Sequence, residues 1–286
     1  MPITIHPLSS AVGAEARGLD LSRPIPDEDF AKARDAFLRY GVLVVRDHAF
    51  DDDDHIRFSR RFGELKKLKF ESYLGKGRPE IFVVSNIREN DQYIGAHDAG
   101  MFWHSDGPFL RQPHGPSALH ALEVPTQDGR ALGDTEFTST AAAYEALPAT
   151  MKNRLDGLLA VQSLSRRFDL AKAGGVQASS ATQQSRSQEV EAVHPVVRVH
   201  PVTGQKCLYV SEGYTTRILG IPENESSELI AELTAHVVDR RFRYVHSWRV
   251  HDLVMWDNCS TQHKATFDYK LPQRRLMHRT TLLHGT

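Results

Sequence analysis

Apolar residues in the first part of the chain recur at helical spacing and then merge into a continuous run. Phe30, Ala33 and Phe37 lie three and four residues apart, so they would share one face of a helix. In the run from Gly41 to Val45, the glycine is a helix stop and the four apolar residues favour a short buried strand. The segment from Asp52 to Phe62 predicts a second helix, so the strand would lie between two helices.

Strand-like patterns dominate the rest of the chain. The further predicted elements are strands at 81–84 and 102–106, a helical segment at 138–158, a strand hairpin with its turn at 201–204, and a helix at 223–238. Three more strand-like runs follow that helix. No repeat and no domain boundary is evident, so we expect one domain over residues 1–286.

The segment from Ala171 to Gln188 has a different composition. It reads AKAGGVQASSATQQSRSQ, which is rich in small and polar residues and contains no aromatic residue. Two interpretations stay open, because long loops in compact domains are either functional or simply solvated. The segment is a solvated loop, or it is a flexible lid that orders over a site.

Composition narrows the class of protein. The chain has 35 Lys and Arg against 36 Asp and Glu, so it lacks the basic excess that grips nucleic-acid phosphates. Its longest apolar run is far shorter than the roughly 20 residues of a membrane span, and its first residues show no secretion signal. Two cysteines favour a reducing compartment. We expect a cytoplasmic enzyme or small-ligand binder, without a nucleic-acid or membrane partner.

A His-x-Asp pair is the first candidate for chemistry. On a strand, His104 and Asp106 would point to the same side and could bind one metal ion. They form two thirds of the facial site of two histidines and one carboxylate that suits Fe(II) and oxygen chemistry. In a chain with 15 histidines, roughly one such pair is expected by chance. The pair alone is therefore a weak signal.

The C-terminal region adds a third candidate ligand and two arginines. His263 follows the apolar segment DLVMWDN, and Arg275, Met277 and Arg279 then share one strand face. Arginine forms bidentate bonds with carboxylates, so this face could hold two anionic groups. A solvated edge strand is an equal alternative. Alternation does not choose the face, since the other one is equally mixed and carries Arg274, Leu276, His278 and Thr280.

Motifs from one end of the chain to the other carry a family resemblance. They are GAEARGLDLSRPI, FSRRFGEL, WHSD, GDTEF, HPVVRVHPVTG, SEGYTTRI, MWDN and RRLMHRTTL. Together they resemble the taurine dioxygenase and 2,4-dichlorophenoxyacetate dioxygenase (TauD/TfdA) family of Fe(II)- and 2-oxoglutarate-dependent enzymes. The resemblance implies a mostly β protein with flanking helices (α+β) and a double-stranded β-helix, or jelly-roll, core. It also implies that His104, Asp106 and His263 bind the iron.

The resemblance assigns the remaining ligands to particular residues. Arg275, with the hydroxyl of Thr135, would hold the far carboxylate of 2-oxoglutarate, and Arg279 would hold an anionic group of the primary substrate. The implied reaction uses O2 and hydroxylates a small organic molecule, with succinate and CO2 as co-products. The implied substrates are sulfonates, sulfate esters, aryloxyalkanoates or amino-acid derivatives. A homo-oligomer, either a dimer or a tetramer, is also implied.

Some positions depart from the pattern of the taurine dioxygenases. Those enzymes have a substrate-binding histidine and an asparagine where this chain has Leu68 and Gly100, which argues against taurine. Lys66, Lys67 and Lys69 form a basic cluster near the first of these positions. The cluster is a solvated loop, or it attracts an anionic substrate.

Two other classes of function stay open on the residues alone. A cupin-like metal-dependent oxygenase that does not use 2-oxoglutarate would have no need of Arg275 and Arg279. A non-catalytic small-ligand-binding barrel would have no need of the three candidate metal ligands. The presence of all five residues favours the 2-oxoglutarate-dependent enzyme.

Overall fold

The computed structural model describes residues 3–68, 74–75, 77–174 and 190–283. Of the predicted lid, the first three residues end a helix, Leu164–Ala173. Residues 175–188 of that segment lie outside the described residues, so the lid stays a prediction.

An eight-stranded sheet forms the centre of the fold. Across it, the strands are β1 (Thr4–Pro7), β2 (Ala14–Arg17), β3 (Val42–Val45), β18 (Leu253–Trp256), β8 (Ser117–Glu123), β20 (Leu276–Thr281), β5 (Arg78–Ser85) and β4 (Leu74–Gly75). Only the β2–β3 pair among them is parallel. Because β20 pairs with a neighbour on each side, it is not the solvated edge strand that was one alternative.

Smaller sheets complete the β structure. One has the order β17 (Arg243–His246), β11 (Thr135–Ser139), β19 (Thr261–Ala265), and another has the order β13 (Glu191–Pro195), β12 (Leu159–Ser163), β16 (Thr215–Ile218). Three two-stranded pairs are β6 (Arg88–Glu89) with β7 (Gln92–Tyr93), β9 (Thr126–Gln127) with β10 (Arg130–Ala131), and β14 (Val197–Val199) with β15 (Lys206–Leu208). The β14–β15 pair confirms the hairpin predicted around the turn at 201–204.

The described α-helices lie near predicted helical segments, except that the helix at 164–173 has no predicted counterpart. They are α1 (Asp27–Tyr40), α2 (Asp52–Arg60), α3 (Thr140–Glu145), α4 (Ala149–Leu155), α5 (Leu164–Ala173) and α6 (Glu223–Val237). Gly41 ends α1 with a left-handed φ of 68° while its N–H donates to Phe37 O. Pro148 separates α3 from α4. None of the described helices is long and apolar enough to cross a membrane.

One predicted element is wrong. The segment 102–106 is not a strand, since with the rest of the described chain it makes only an isolated bridge, between His104 and His263. The alternation of His104 and Asp106 indicates a strand. Instead, hydrogen bonds that involve side chains connect this segment to Asn258 and Thr261, which follow β18 in the chain.

The large sheet is covered on both faces. On one face, Leu43 packs with Phe37 of α1 and Phe58 of α2. On the other face, Met277 belongs to a cluster that includes Phe137 of β11, so the small β17–β11–β19 sheet covers this side. The protein is mostly sheet with flanking helices, as predicted. The candidate site lies between these two sheets.

Candidate active site

His104, Asp106 and His263 come together between the two sheets. His263 lies on β19, and reciprocal backbone hydrogen bonds of 3.2 and 2.8 Å tie it to His104. One ligand atom from each of the three side chains lies within 4.8 Å of the other two. The structure therefore forms, from distant parts of the chain, the triad that the sequence predicts.

Hydrogen bonds from side chains fix the loop that carries the first two residues. The Asp106 N–H donates to Asn258 Oδ1 at 2.9 Å, and the Ser105 hydroxyl donates to Thr261 O at 3.0 Å. The amide of Asn258 in turn donates to Gly115 O at 2.7 Å. The turn after β18 therefore holds the loop in register with β19.

The His104 ring has a defined proton position. Its Nδ1 lies 2.7 Å from Phe102 O, and because a carbonyl only accepts, Nδ1 carries the hydrogen. Nε2 then presents a lone pair, 3.8 Å from Asp106 Oδ1. Burial is the main factor that lowers the pKa of both His104 and His263. Neutral imidazoles are the form that binds metals.

Asp106 is held as a carboxylate. Ser117 Oγ donates to its Oδ2 at 2.8 Å, and Arg279 Nη1 donates to its Oδ1 at 3.1 Å. Burial by itself would raise the pKa of Asp106, but Arg279 and the two imidazoles hold it far below its usual range. The donor set is thus one carboxylate and two neutral imidazoles.

This donor set fits a divalent iron ion. Two imidazoles and one carboxylate on one side of an ion leave open positions for other ligands. The Nδ1 atom of His263 is buried and has no hydrogen-bond partner among the described residues. The Phe102 carbonyl and Ser117 already orient His104 and Asp106, as supporting contacts do at metal sites.

A cavity of about 470 Å³ opens beside the triad. The six site residues predicted from the sequence all line it, and they are His104, Asp106, Thr135, His263, Arg275 and Arg279. Phe82, Val84 and Leu119 add apolar wall. A cavity of this size with a few converging polar groups is typical of a small-molecule site.

One end of the cavity presents a buried cation. Arg275 is only 3% exposed and has no carboxylate partner in the described part of the chain, and its Nε makes no hydrogen bond. Its Nη1 donates to Tyr269 Oη at 3.4 Å, and its guanidinium lies 6.0 Å from the Trp248 ring centre. Burying an unpaired cation is costly. This end is therefore suited to an anion.

Arg275, directly before β20, and Arg279 on β20 both point towards the cavity. Met277, between Arg275 and Arg279 on this face, is fully buried against Phe137. The opposite face points to α2, where His278 Nδ1 lies 2.6 Å from Asp52 Oδ1. The structure thus decides the orientation that alternation left open.

Sequence reasoning missed some residues of the cavity wall. Lys66 Nζ lies 2.9 Å from His114 Nε2, and Arg167 lies 3.6 Å from Asp98. In the sequence, only the basic cluster around Lys66 indicates these contacts. One of its two interpretations, the attraction of an anionic substrate, places a cation at the site. Lys69 of that cluster lies outside the described residues. Leu68 and Gly100, the departures from taurine dioxygenases, also line the cavity.

Comparison with known proteins decides the family. A family model described as "Taurine catabolism dioxygenase TauD, TfdA family" matches residues 4–281. The chain belongs to this family. The match confirms the resemblance seen in the sequence motifs.

Relatives in the TauD/TfdA family cover nearly the whole chain. An alpha-ketoglutarate-dependent 2,4-dichlorophenoxyacetate dioxygenase of Cupriavidus pinatubonensis is 31% identical, over 99% of this chain and 98% of that protein. An alpha-ketoglutarate-dependent sulfate ester dioxygenase of Pseudomonas putida is 30% identical, over 99% and 90%. A crystal structure of AAD-2 with Mn(II) and N-oxalylglycine has a TM-score of 0.78 at 29% identity, over 100% of this chain and 98% of that one.

These matches confirm that the protein is an oxidoreductase of the 2-oxoglutarate-dependent dioxygenase class. They disfavour both alternatives, the cupin-like oxygenase and the non-catalytic barrel.

Proposed function

We propose that this protein uses Fe(II), 2-oxoglutarate and O2 to hydroxylate a small anionic organic molecule, with succinate and CO2 as co-products. The observation that carries the proposal is the arrangement of one cavity. The triad His104, Asp106 and His263 lines it together with the buried Arg275 and the half-buried Arg279.

The triad holds the iron in this proposal. His104 Nε2 can face the ion because Nδ1 donates to Phe102 O. Asp106 Oδ1 accepts one hydrogen bond, from Arg279, and keeps a lone pair that can face the ion. When bound, the iron and its co-substrate supply the oxidising chemistry, and the protein supplies position and exclusion of water. Asp106 keeps its charge because Arg279 donates to it.

Arg275 and Thr135 bind the far carboxylate of 2-oxoglutarate. The Trp248 Nε1–H donates to Thr135 Oγ1 at 3.0 Å, so the hydroxyl hydrogen of Thr135 is available to a ligand. The guanidinium of Arg275 supplies a fork that fits a carboxylate bidentately. Its buried surroundings keep water from competing for that carboxylate.

Arg279 holds the acidic group of the primary substrate. Relatives named for a dichlorophenoxyacetate and for a sulfate ester act on molecules with one acidic end. Sulfonates and amino-acid derivatives belong to the same substrate class in this proposal. Leu68 and Gly100 in the cavity wall disfavour taurine, since neither side chain can form the hydrogen bonds of a histidine or an asparagine.

The proposal extends to the whole chain. Two sheets that share one core around the site support a jelly-roll arrangement in a single catalytic domain. The two described cysteines are buried and unpaired, which supports a reducing, cytoplasmic location. Assembly into a dimer or tetramer is the remaining part of the proposal.

A co-product assay tests the proposed function. Protein loaded with Fe(II) and 2-oxoglutarate is incubated with sulfonates, sulfate esters, aryloxyalkanoates and acylated amino acids. We expect at least one class to raise succinate formation well above the rate without substrate, with an equal amount of oxidised product. If every class leaves the basal rate unchanged while Fe(II) and 2-oxoglutarate bind, the proposed substrate class is wrong. If 2-oxoglutarate does not bind, the proposed function is wrong.

A further inference from the structure

Lys66 and His114 form a contact in the cavity wall for which the proposed reaction has no use. Lys66 Nζ lies 2.9 Å from His114 Nε2, and both residues line the cavity with Asp106 and Arg279. An ammonium group only donates, so His114 Nε2 is the acceptor and the ring is neutral. Burial, followed by the charge of Lys66, lowers the pKa of His114 to about 4, in agreement with a neutral ring. This contact uses one of the three ammonium hydrogens.

The backbone fixes both partners. The Lys66 N–H donates to Thr281 O, at the end of β20, at 2.8 Å. The His114 ring packs on Gly107, where a β-carbon would lie 2.7 Å from His114 Cδ2. Gly107 directly follows Asp106 and has a φ of +68°, which favours glycine. The Lys66–His114 pair is therefore attached to the strand that carries Arg279 and to the loop that carries Asp106.

The charges in the cavity are not balanced without a substrate. Among the residues that the structure describes, the cationic side chains that line it are Lys66, Arg167, Arg275 and Arg279. Arg167 is paired with Asp98. The charges of four groups cancel. The divalent ion and Arg275 carry the positive charge, and Asp106 and the doubly charged 2-oxoglutarate carry an equal negative charge. The described lining then keeps a net excess of two positive charges, corresponding to Lys66 and Arg279, although Arg279 also donates to Asp106.

We propose that Lys66 and Arg279 together bind a doubly charged oxyanion of the primary substrate, a phosphate monoester or phosphonate group, and that His114 positions the Lys66 ammonium. The inference rests on the proposed function and adds a doubly charged group to the anionic substrate classes named there. A tetrahedral dianion has acceptor oxygens for both the guanidinium fork and the ammonium. A singly charged group would leave one positive charge in excess in a partly buried site.

The electrostatics of Lys66 agree with such a ligand. Burial lowers the pKa of Lys66, and the nearby Arg279 lowers it further. A dianion between the two side chains would offset both effects, because opposite charge favours the protonated amine. Lys67, the next residue, is exposed and does not line the cavity. It therefore provides a matched control on the same loop.

Two esters of the same shape and different charge test the proposal. At pH 8 propyl phosphate is a dianion, since the second pKa of a phosphate monoester is about 6, whereas propyl sulfate is a monoanion. Their dissociation constants are measured by calorimetry on protein loaded with Mn(II) and 2-oxoglutarate. We expect the intact protein to bind propyl phosphate at least about tenfold more tightly than propyl sulfate. Lys66→Met should abolish this preference, while Lys67→Met and Lys66→Arg should keep it.

The positioning role of His114 has its own readout. His114→Leu should reduce the ratio of the two dissociation constants without changing 2-oxoglutarate binding, and His114→Gln, which keeps an acceptor, should restore part of the ratio.

Three results would overturn the inference: equal affinities for the two esters, a preference that survives in Lys66→Met, or no binding of propyl phosphate. A 2-oxoglutarate titration of the Mn(II)-loaded protein separates this failure from a failure of the proposed function. Normal 2-oxoglutarate binding without a phosphate preference contradicts the inference alone. Loss of 2-oxoglutarate binding in the intact protein contradicts the proposed function.

Discussion

The indole Nε1–H of Trp248 donates a 3.0 Å hydrogen bond to the hydroxyl of Thr135. Thr135 begins β11, and Trp248 is only 1% exposed and lies in the core behind it. Because an indole N–H only donates, the Thr135 oxygen is the acceptor and its own hydrogen is directed elsewhere. Trp248 therefore orients the hydroxyl that we assign to the co-substrate.

Replacing this indole should weaken 2-oxoglutarate binding specifically. Trp248→Phe keeps an aromatic ring in the core but frees the Thr135 hydroxyl to rotate. We expect the apparent 2-oxoglutarate constant to rise about three- to tenfold, the range for one net hydrogen bond. The constant for the primary substrate should stay within a factor of two. An unchanged apparent 2-oxoglutarate constant would show that Trp248 does not orient the Thr135 hydroxyl for this ligand.

The two arginines of the last strand should affect different ligands. Arg275→Ala leaves a ligand carboxylate unpaired in a buried site, which costs on the order of 2–5 kcal/mol, so 2-oxoglutarate binding should fall at least about thirtyfold. Arg279→Ala should weaken the primary substrate and spare 2-oxoglutarate binding in its absence. Arg274→Ala is the matched control, since Arg274 is exposed and paired with Glu123. Steady-state constants for both substrates would separate these effects, and a reversed pattern would contradict the assignment.

Metal binding should depend on the charge of Asp106. Asp106→Asn keeps nearly the same shape and removes the charge that Arg279 and the two imidazoles stabilise. We expect Mn(II) affinity, measured by calorimetry, to fall by more than the roughly 100-fold that loss of a supporting contact costs. Ser117→Ala, which removes the bond to Oδ2 and keeps the charge of Asp106, should cost less. Equal affinity in Asp106→Asn and the unaltered protein would mean that the ion binds elsewhere.

A cluster of buried histidines should make the protein sensitive to acid. His55 and His120 are fully buried, with ring centres 5.9 Å apart, on the face of the large sheet that α2 covers. Burial lowers the pKa of His55 to about 3 and that of His120 to about 4. Asp52 opposes this shift for both rings, whereas the neighbouring His278 adds to it.

The sign of the pH effect follows from these shifts. In the unfolded chain, His55 and His120 bind protons as the pH falls below about 6.5, whereas in the folded protein they stay neutral. Their contribution to the free energy of unfolding is therefore fully present above pH 6.5 and is lost as the pH drops towards 4. We expect a loss of several kcal/mol between pH 7 and pH 4.5, measured by urea unfolding. His120→Phe should flatten this dependence, while His48→Phe, at a partly exposed position, should not. A stability that is independent of pH over this range would contradict the buried neutral state.

Much of this site can be predicted from the sequence, because the patterns that indicate it involve residues that are close together in the chain. The strand period places Arg275 and Arg279 on one face, and the His-x-Asp pair predicts two ligands of the triad. What alternation could not give is which face of β20 points inward, since His278 on the other face is also buried, against α2. The Lys66–His114 contact was hidden for a similar reason. It depends on the packing of two loops that no local pattern relates.

The strand predicted at 102–106 shows the same limit. His104 and Asp106 alternate as in a strand, yet hydrogen bonds to Asn258 and Thr261 determine the conformation of this segment. Asn258 lies in the turn after β18 and Thr261 begins β19, both far away in the sequence. The pattern was therefore correct about which side chains converge and wrong about the backbone that presents them.

We assign both the metal ion and 2-oxoglutarate to one cavity. A crystal structure of the protein grown without oxygen, with Mn(II) and 2-oxoglutarate, tests it most directly. We expect the ion to be bound by His104, Asp106 and His263, with the far carboxylate of 2-oxoglutarate on Arg275 and Thr135. An ion bound by other residues, or 2-oxoglutarate bound away from Arg275, would contradict it.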